Sequence, residues 1–478
     1  MELERSLEIR DGHLFLDGFD VVELAGQLET PFFLYSGRQL RWNIEGLRNA
    51  FTRRHLDTEL FFATKACSNL WFLDQVRRSG INVEVNSGGE LWKALRVGFK
   101  PEQIVFNGVA KTRKEIGQAI DHDIRAIVVD SLFELERVTE VARDYLKPAR
   151  VSLRIDVEVE TLTHPEIQTS HGAKAGIDID DALDAFGFAT SHELIDLRGI
   201  HMHIGSQITG VEPYVLAMET ALDVVEHAER SFEMHLEHID AGGGFAIPYR
   251  NEPVCDPEDY LCSRRTPDDY AEAICGVLDR RRPDLRLFLE PGRSIAASTA
   301  VLVARVENEK EKGVRDGDGR RLGTDHWLTI DAGFNVLLDH VSVDWYFPAL
   351  VANLAEEEPT AQFRLAGPLC DGGDVVPGEP GTPYRLLPAG TTVGDLVTLL
   401  NVGAYSLDTM FPYNARPRAA AYAVVDDAVI QIRERDSLAD LVANDLPLPA
   451  AEDDTDDDGS VKDGRKRSAR WSLRGGGS

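Results

Sequence analysis

Eight times between Glu59 and Arg293 a short apolar run meets a polar or glycine-rich stop and gives way to a helix-spaced stretch. The runs are 59–66 (ELFFATKA), 81–87 (INVEVNS), 103–108 (QIVFNG), 126–130 (AIVVD), 151–156 (VSLRID), 197–206 (LRGIHMHIGS), 235–244 (HLEHIDAGGG) and 285–293 (LRLFLEPGR). The segments between them, LWKALRVG and ELERVTEVA for example, space their apolar residues at the helical period. Alternating strand and helix units build a parallel sheet covered by helices, and eight of them point to a (β/α)8 barrel. Spacing alone also describes an open doubly wound sheet.

Beyond Ile295 the texture changes. Runs such as AVLVARV, HWLTIDAG, TVGDLVTLLNVG and AAAYAVV stand between glycine, proline and charge, which reads as an all-β domain. The first 35 residues (LEIRDGHLFLDG, TPFFLYS) are strand-like and are expected to join it. The expected division is therefore 1–35 with the β-domain, 36–300 barrel, 301–435 β-domain and 436–478 a tail. Within the β-domain, 308–322 is expected to be a charged hairpin tip or loop. In the tail an acidic run, AEDDTDDDGS, precedes a basic cluster, KDGRKRSAR, and is expected to be disordered for want of apolar surface to bury.

A net charge of -30 excludes nucleic acid or an anionic membrane as the main partner. No apolar run is long enough to span a bilayer, and MELERSLEIRDG lacks a signal-peptide pattern, so a cytoplasmic location is expected. The five cysteines (Cys67, Cys255, Cys262, Cys275, Cys370) contain no CxxC pair and read as buried or reactive thiols rather than a disulfide framework or zinc site.

A barrel gathers its chemistry at the C-terminal ends of its strands. Those ends here are Lys65, Asn86, Asn107, Asp130, Asp156, His203 with Ser206, Gly242 to Gly244, and Glu290 with Arg293. Lysines number only 11, against 40 arginines, so one directly after an apolar strand stands out. Desolvation there is expected to lower the pKa of Lys65 and suit it to forming Schiff bases. The bare N–H groups of DAGGGF and the Gly292–Arg293–Ser294 of EPGRS make two phosphate grips after strands seven and eight. Glu290 is placed to hold a pyridine nitrogen protonated. His201 and His203 share one face of a strand, but no further metal ligand appears at useful spacing, so no metal is expected.

The ordered set FFATKA, GIHMHIGSQI, DAGGGF, EPGRS, GPLCDGGD, NVGAY and YNARPR resembles the fold-type III pyridoxal-phosphate (PLP) decarboxylases, the diaminopimelate, ornithine and arginine decarboxylase family, from about residue 10 to 425. The resemblance implies an alanine racemase-like α/β barrel with a C-terminal β-domain and the activity of a PLP-dependent amino-acid carboxy-lyase. It implies that Lys65 carries the cofactor and that His203 stacks on its ring. Ser206, Gly243, Gly244, Gly292, Arg293 and Tyr405 would hold its phosphate, with Glu290 at the ring nitrogen. Cys370 would return a proton to the substrate carbon, reaching in from the other subunit of a homodimer with shared active sites. Because Lys65 and Cys370 are both present, the resemblance argues against a non-catalytic PLP-binding regulator.

For the substrate, the family's diaminopimelate enzymes place Arg-Pro shortly after DAG, where that arginine grips a distal carboxylate. This chain has Asp339 and His340 there, and Asp371 where those enzymes carry Glu. An aspartate repels a carboxylate and attracts an ammonium. With Tyr413 completing the substrate pocket, the pattern looks most like the branch acting on D-ornithine and D-lysine, giving putrescine or cadaverine. The alternative is meso-diaminopimelate to L-lysine and carbon dioxide.

Overall fold

The computed structural model describes residues 3–170, 172–250, 256 and 259–446. All eight expected strands form: Thr58–Ala63, Asn82–Val85, Ile104–Phe106, Ala126–Val129, Ala149–Asp156, Ile195–His201, His238–Asp240 and Arg286–Leu289. Every neighbouring pair is parallel, and the eighth strand returns to the first through Leu287–Thr58 and Leu289–Leu60. The fifth strand bonds both the fourth and the sixth, so the sheet is a closed barrel and not an open doubly wound one.

The turns after the second, third and fourth strands repeat a Ser/Thr-x-x-Glu signature. Ser87, Thr112 and Ser131 each accept the backbone N–H of the glutamate three residues on, starting helices Gly88–Val97, Arg113–His122 and Leu132–Tyr145. Each helix buries an apolar stripe against the sheet, such as Ile116, Ala119 and Ile120.

Inside the barrel, side chains alternate inward and outward along each strand. Phe61, Val105, Ala126 and Phe288 make a separate small apolar cluster. His238 stacks on Phe288 at 4.1 Å and lies 2.9 Å from Ser152 Oγ. One alternation nearer the strand ends, the inward positions turn polar: Glu84, Asn107, Arg154, His201, Asp240 and Glu290, all buried. An apolar plug thus closes the bottom of a charged chamber.

The second sheet runs Arg385–Leu387, Ala361–Ala366, Arg321–Ile330, Ala300–Arg315, Phe32–Ser36, Ala420–Val425, Ala428–Arg433. Of the N-terminal strands, only Phe32–Ser36 joins it by pairing. Leu7–Arg10, His13–Leu16 and Phe19–Asp20 form a sheet of their own, which corrects the expectation for residues 1–35. The cause is two Asp-Gly turns, Asp11-Gly12 and Asp17-Gly18, whose positive φ folds the segment back on itself. Leu14 and Leu16 still pack with Phe32, Val301 and Leu396.

Segment 308–322 is mostly strand rather than loop: Lys310 pairs with Trp327 and Lys312 with Asp325, leaving only 316–320 as the tip. The tail expected from residue 436 begins as ordered chain, because Arg418 Nε and Arg433 hold the Asp436 carboxylate at 2.6 and 3.0 Å. Its acidic and basic runs lie outside the described residues. Cys67 and Cys275 are buried free thiols and Cys370 an exposed one. Cys262 is disulfide-bonded, contrary to its reading as a thiol; Cys255 lies outside the described residues. Among the described residues, no helix is long and apolar enough to cross a membrane.

Candidate active site

Lys65 sits in a single 3-10 turn, Thr64–Ala66, immediately after the first strand. Its side chain is exposed at the barrel mouth. Burial by the surrounding protein acts to lower its pKa, but Glu84, Tyr405 and Glu290 together outweigh that, and the net displacement is upward. This corrects the expected lowering: the neighbouring carboxylates, which the strand-end reading did not weigh, decide the sign.

Glu290 is the most heavily bonded group of the chamber. Asn107 Nδ2 lies 2.8 Å from each carboxylate oxygen, and His201 Nε2 is 3.0 Å from Oε2. Burial raises Glu290 to about 7, against the opposing pull of Lys65, Asp240, Arg154 and Asn107. Burial likewise lifts Glu84 to about 8 despite Lys65. His201 and His203 are pushed well below the usual imidazole range by burial, with Lys65 and Arg154 adding to it, so both are neutral. The two histidines face different partners. His201 addresses Glu290, whereas Nδ1 of His203 accepts the Gly243 N–H at 3.2 Å. His203 and Ser206 lie beyond the sixth strand, which ends at His201.

The two glycine-rich turns converge. A methyl group on Gly243 would sit 2.2 Å from the Glu290 carbonyl oxygen, and one on Gly244 would sit 2.3 Å from that of Gly205. Only glycine allows these strand-end loops to press together. Arg293 is buried, with Nε 3.1 Å from Ser206 Oγ and Nη1 3.1 Å from the Tyr249 hydroxyl. Its guanidinium also lies 4.8 Å from the Tyr405 ring and 4.5 Å from that of Trp345. Tyr405 reaches the barrel from the second sheet's side, its N–H bonded to the Ala66 carbonyl next to Lys65. Thus Lys65, His203, Ser206, Gly243, Gly244, Glu290, Gly292, Arg293 and Tyr405 come together as expected.

Asp339 also approaches this group. It opens a short helical turn, Asp339–Ser342; burial raises its carboxyl, and Arg293 is the cation that opposes the rise. Cys370, Asp371 and Tyr413 form a separate cluster. Asn414 Oδ1 accepts the Cys370 N–H at 2.8 Å, and the Tyr413 hydroxyl lies 3.3 Å from Asp371 Oδ2, all on exposed chain. Asp371 also accepts the Gly373 N–H at 2.9 Å, and among the described residues no hydrogen bond links this cluster to Lys65 or Glu290.

Sequence reasoning assigned no role to Glu84, Asn107, Arg154, Asp240, Tyr249 or Trp345. For four of them a signal existed: a charge inside an otherwise apolar barrel strand (VEV, LRI, HID), or an amide just past one (IVFN), marks an inward polar position. Tyr249 and Trp345 come from loops and carried no such mark.

A chamber with an accessible amine, a carboxylate set in a ring of donors, a neutral imidazole and a glycine-arginine cradle fits pyridoxal phosphate. Buried polar atoms without a partner among the described residues gather here too: both oxygens of Glu84, Asn107 Oδ1 and His201 Nδ1. Residues 39–297 match the pyridoxal-binding domain of the pyridoxal-dependent decarboxylases, and residues 251–403 match their C-terminal sheet domain. Diaminopimelate decarboxylase of Archaeoglobus fulgidus is 33% identical over 437 residues, 90% of this chain and 96% of the relative. The enzyme of that name from Methanocaldococcus jannaschii is 33% identical over 455 residues, 93% of this chain and 97% of its own. The crystal structure of the M. jannaschii decarboxylase with L-lysine superposes with a TM-score of 0.81 at 31% identity, covering 93% and 98% of the two chains. A lysine/ornithine decarboxylase from Vibrio vulnificus shares the fold, with a TM-score of 0.69 at 23% identity over 85% and 98%. The similarity points to diaminopimelate decarboxylases rather than to the expected D-ornithine and D-lysine branch.

Proposed function

Since the chain belongs to the pyridoxal-dependent decarboxylases of diamino acids, we propose that it converts meso-diaminopimelate to L-lysine and carbon dioxide. The observation that carries this reading is similarity along nearly the whole length, 33% identity over 90% of the chain, to enzymes of that name.

When bound, pyridoxal phosphate supplies an electron-withdrawing ring that accepts the electron pair left by a departing carboxylate. Lys65 Nζ is the amine that holds it. Glu290, oriented by Asn107 and His201, presents negative charge to the ring nitrogen. His203, kept neutral, offers a flat face to the ring. Ser206, Gly243, Gly244, Gly292, Arg293 and Tyr405 grip the phosphate. Cys370 delivers a proton to the substrate carbon, with Asp371 and Tyr413 beside it on the substrate. All three side chains are exposed, which supports their serving the site of a partner copy in a homodimer.

Asp339 favours a second reading, D-ornithine or D-lysine to putrescine or cadaverine. A carboxyl group next to Arg293 offsets the cation that a distal carboxylate would seek, and it attracts an ammonium.

Carbon dioxide release from meso-diaminopimelate, D- and L-ornithine, D- and L-lysine and arginine decides between them. Turnover of diaminopimelate above all others is the expected result. Turnover of D-ornithine or D-lysine without diaminopimelate overturns the first reading and establishes the second.

A further inference from the structure

Two buried carboxyl groups meet at the base of the cofactor chamber. Asp240 ends the seventh strand and Glu290 follows the eighth, and they are only 2% and 5% exposed. Their oxygens and a His201 ring nitrogen all lie within 4.8 Å of one another. Two carboxyl groups this close and out of water do not both ionise, so one of the pair keeps a proton.

Geometry decides which of the pair keeps the proton. Glu290 receives the Asn107 amide N–H on both oxygens, a donor that stabilises an anion, and His201 Nε2 lies 3.0 Å from one of them. Asp240 receives a single backbone N–H, that of Gly242 at 2.9 Å on Oδ1, which leaves its second oxygen for the proton. The groups facing the pair agree. Lys65 beyond the first strand and Arg154 on the fifth are cationic, Glu84 on the second is acidic, and His201 and His203 are neutral. Two cations thus face three carboxyl groups, each of which burial favours in its protonated form.

We propose that Asp240 is a carboxylic acid that stays protonated in the native protein and donates its O–H to Glu290, acting as a positioning residue that keeps Glu290 ionised and aimed into the chamber. Burial and the charge of Glu290 push the Asp240 carboxyl well above the usual range, in keeping with this. Asp240 therefore does two jobs at once. Its Oδ1 fixes the Gly242 turn that leads into the phosphate cradle, and its proton fixes the acid at the opposite end of the ring. The Glu290 N–H bonds the Gly242 carbonyl at 2.7 Å and locks the same two loops together. The inference concerns the cofactor and holds whichever diamino acid is the substrate.

Infrared spectroscopy of the holoenzyme at pH 8 tests it. The wild-type-minus-Asp240→Asn difference spectrum is expected to show a protonated-carboxyl C=O band at that pH, because the Glu84 contribution is common to both proteins. The same variant supplies an N–H where the O–H was. Its cofactor dissociation constant is therefore expected to stay within about threefold of wild type, while Asp240→Ala, which leaves Glu290 short of a donor, loses about tenfold or more. Absence of a protonated-carboxyl band from that difference spectrum, or an Asn variant as impaired as Ala, overturns the proposal. If Asp240→Ala does not fold, the band and the Asn variant still decide.

Discussion

Asn107 Nδ2 lies 2.8 Å from both carboxylate oxygens of Glu290, although the two residues belong to opposite sides of the barrel and are 183 positions apart in sequence. The amide both orients the acid and supports its charge. Hydrogen bonds to a charged group contribute about 1.5–3 kcal/mol each. Asn107→Leu is thus expected to raise the Glu290 pKa further and weaken cofactor binding by about tenfold or more, read by absorbance titration with pyridoxal phosphate. Unchanged affinity would show that Glu290 does not depend on this contact.

Gly243→Ala should be among the most damaging small substitutions in the chain. Its new methyl would stand 2.2 Å from the Glu290 carbonyl oxygen, forcing the seventh and eighth strand-end loops apart. Loss of cofactor binding and a lower Tm are expected together. A variant with wild-type cofactor affinity would remove this turn from the phosphate cradle.

The raised carboxyls predict a pH trend for the cofactor-free protein. Glu84 and Glu290 move from 4.5 in the ordinary state to about 8 and about 7 on folding. The folded chain keeps these two protons across that interval where the unfolded chain has lost them. The contribution of the two glutamates to stability therefore falls as pH rises from 4.5 towards 8 before levelling, while the buried histidines act in the opposite direction up to 6.5. Glu84→Gln should flatten the slope, since the amide does not titrate. Urea unfolding at a series of pH values reads the difference between the two proteins, and parallel curves would contradict it.

The proposed sharing of active sites between two copies predicts complementation. Lys65→Ala should lack the absorbance of covalently held cofactor and have no activity, and Cys370→Ala should be severely impaired. Mixed together after dissociation, the two should regain about a quarter of wild-type activity, because half the dimers carry one intact site of two. No recovery in demonstrably mixed dimers would place Cys370 and Lys65 of one chain in the same site.

Much of this could be read along the chain. Eight apolar runs required a barrel or an open sheet because alternating strand and helix signals are local, and each was visible without knowing its neighbours. Lys65, Gly243, Gly244, Glu290 and Arg293 were legible for the same reason: they stand directly after apolar runs, where a barrel puts its chemistry. The two Asp-Gly turns that detach the first hairpin were also present in the sequence and were outweighed by its strand-like composition.

What only the tertiary structure decided were matters of distance between strands far apart in sequence. Closure through Leu289–Leu60 made the sheet a barrel, and closure set Asn107, Asp240 and Glu290 around one point. It reversed the expected pKa displacement of Lys65 by bringing the charge of Glu84 to bear on it, and set Asp339 within the electrostatic reach of Arg293. Charge interactions fall off within a few ångströms and depend on burial. A sequence states which groups are present, but only the closed barrel determines which of them share a proton.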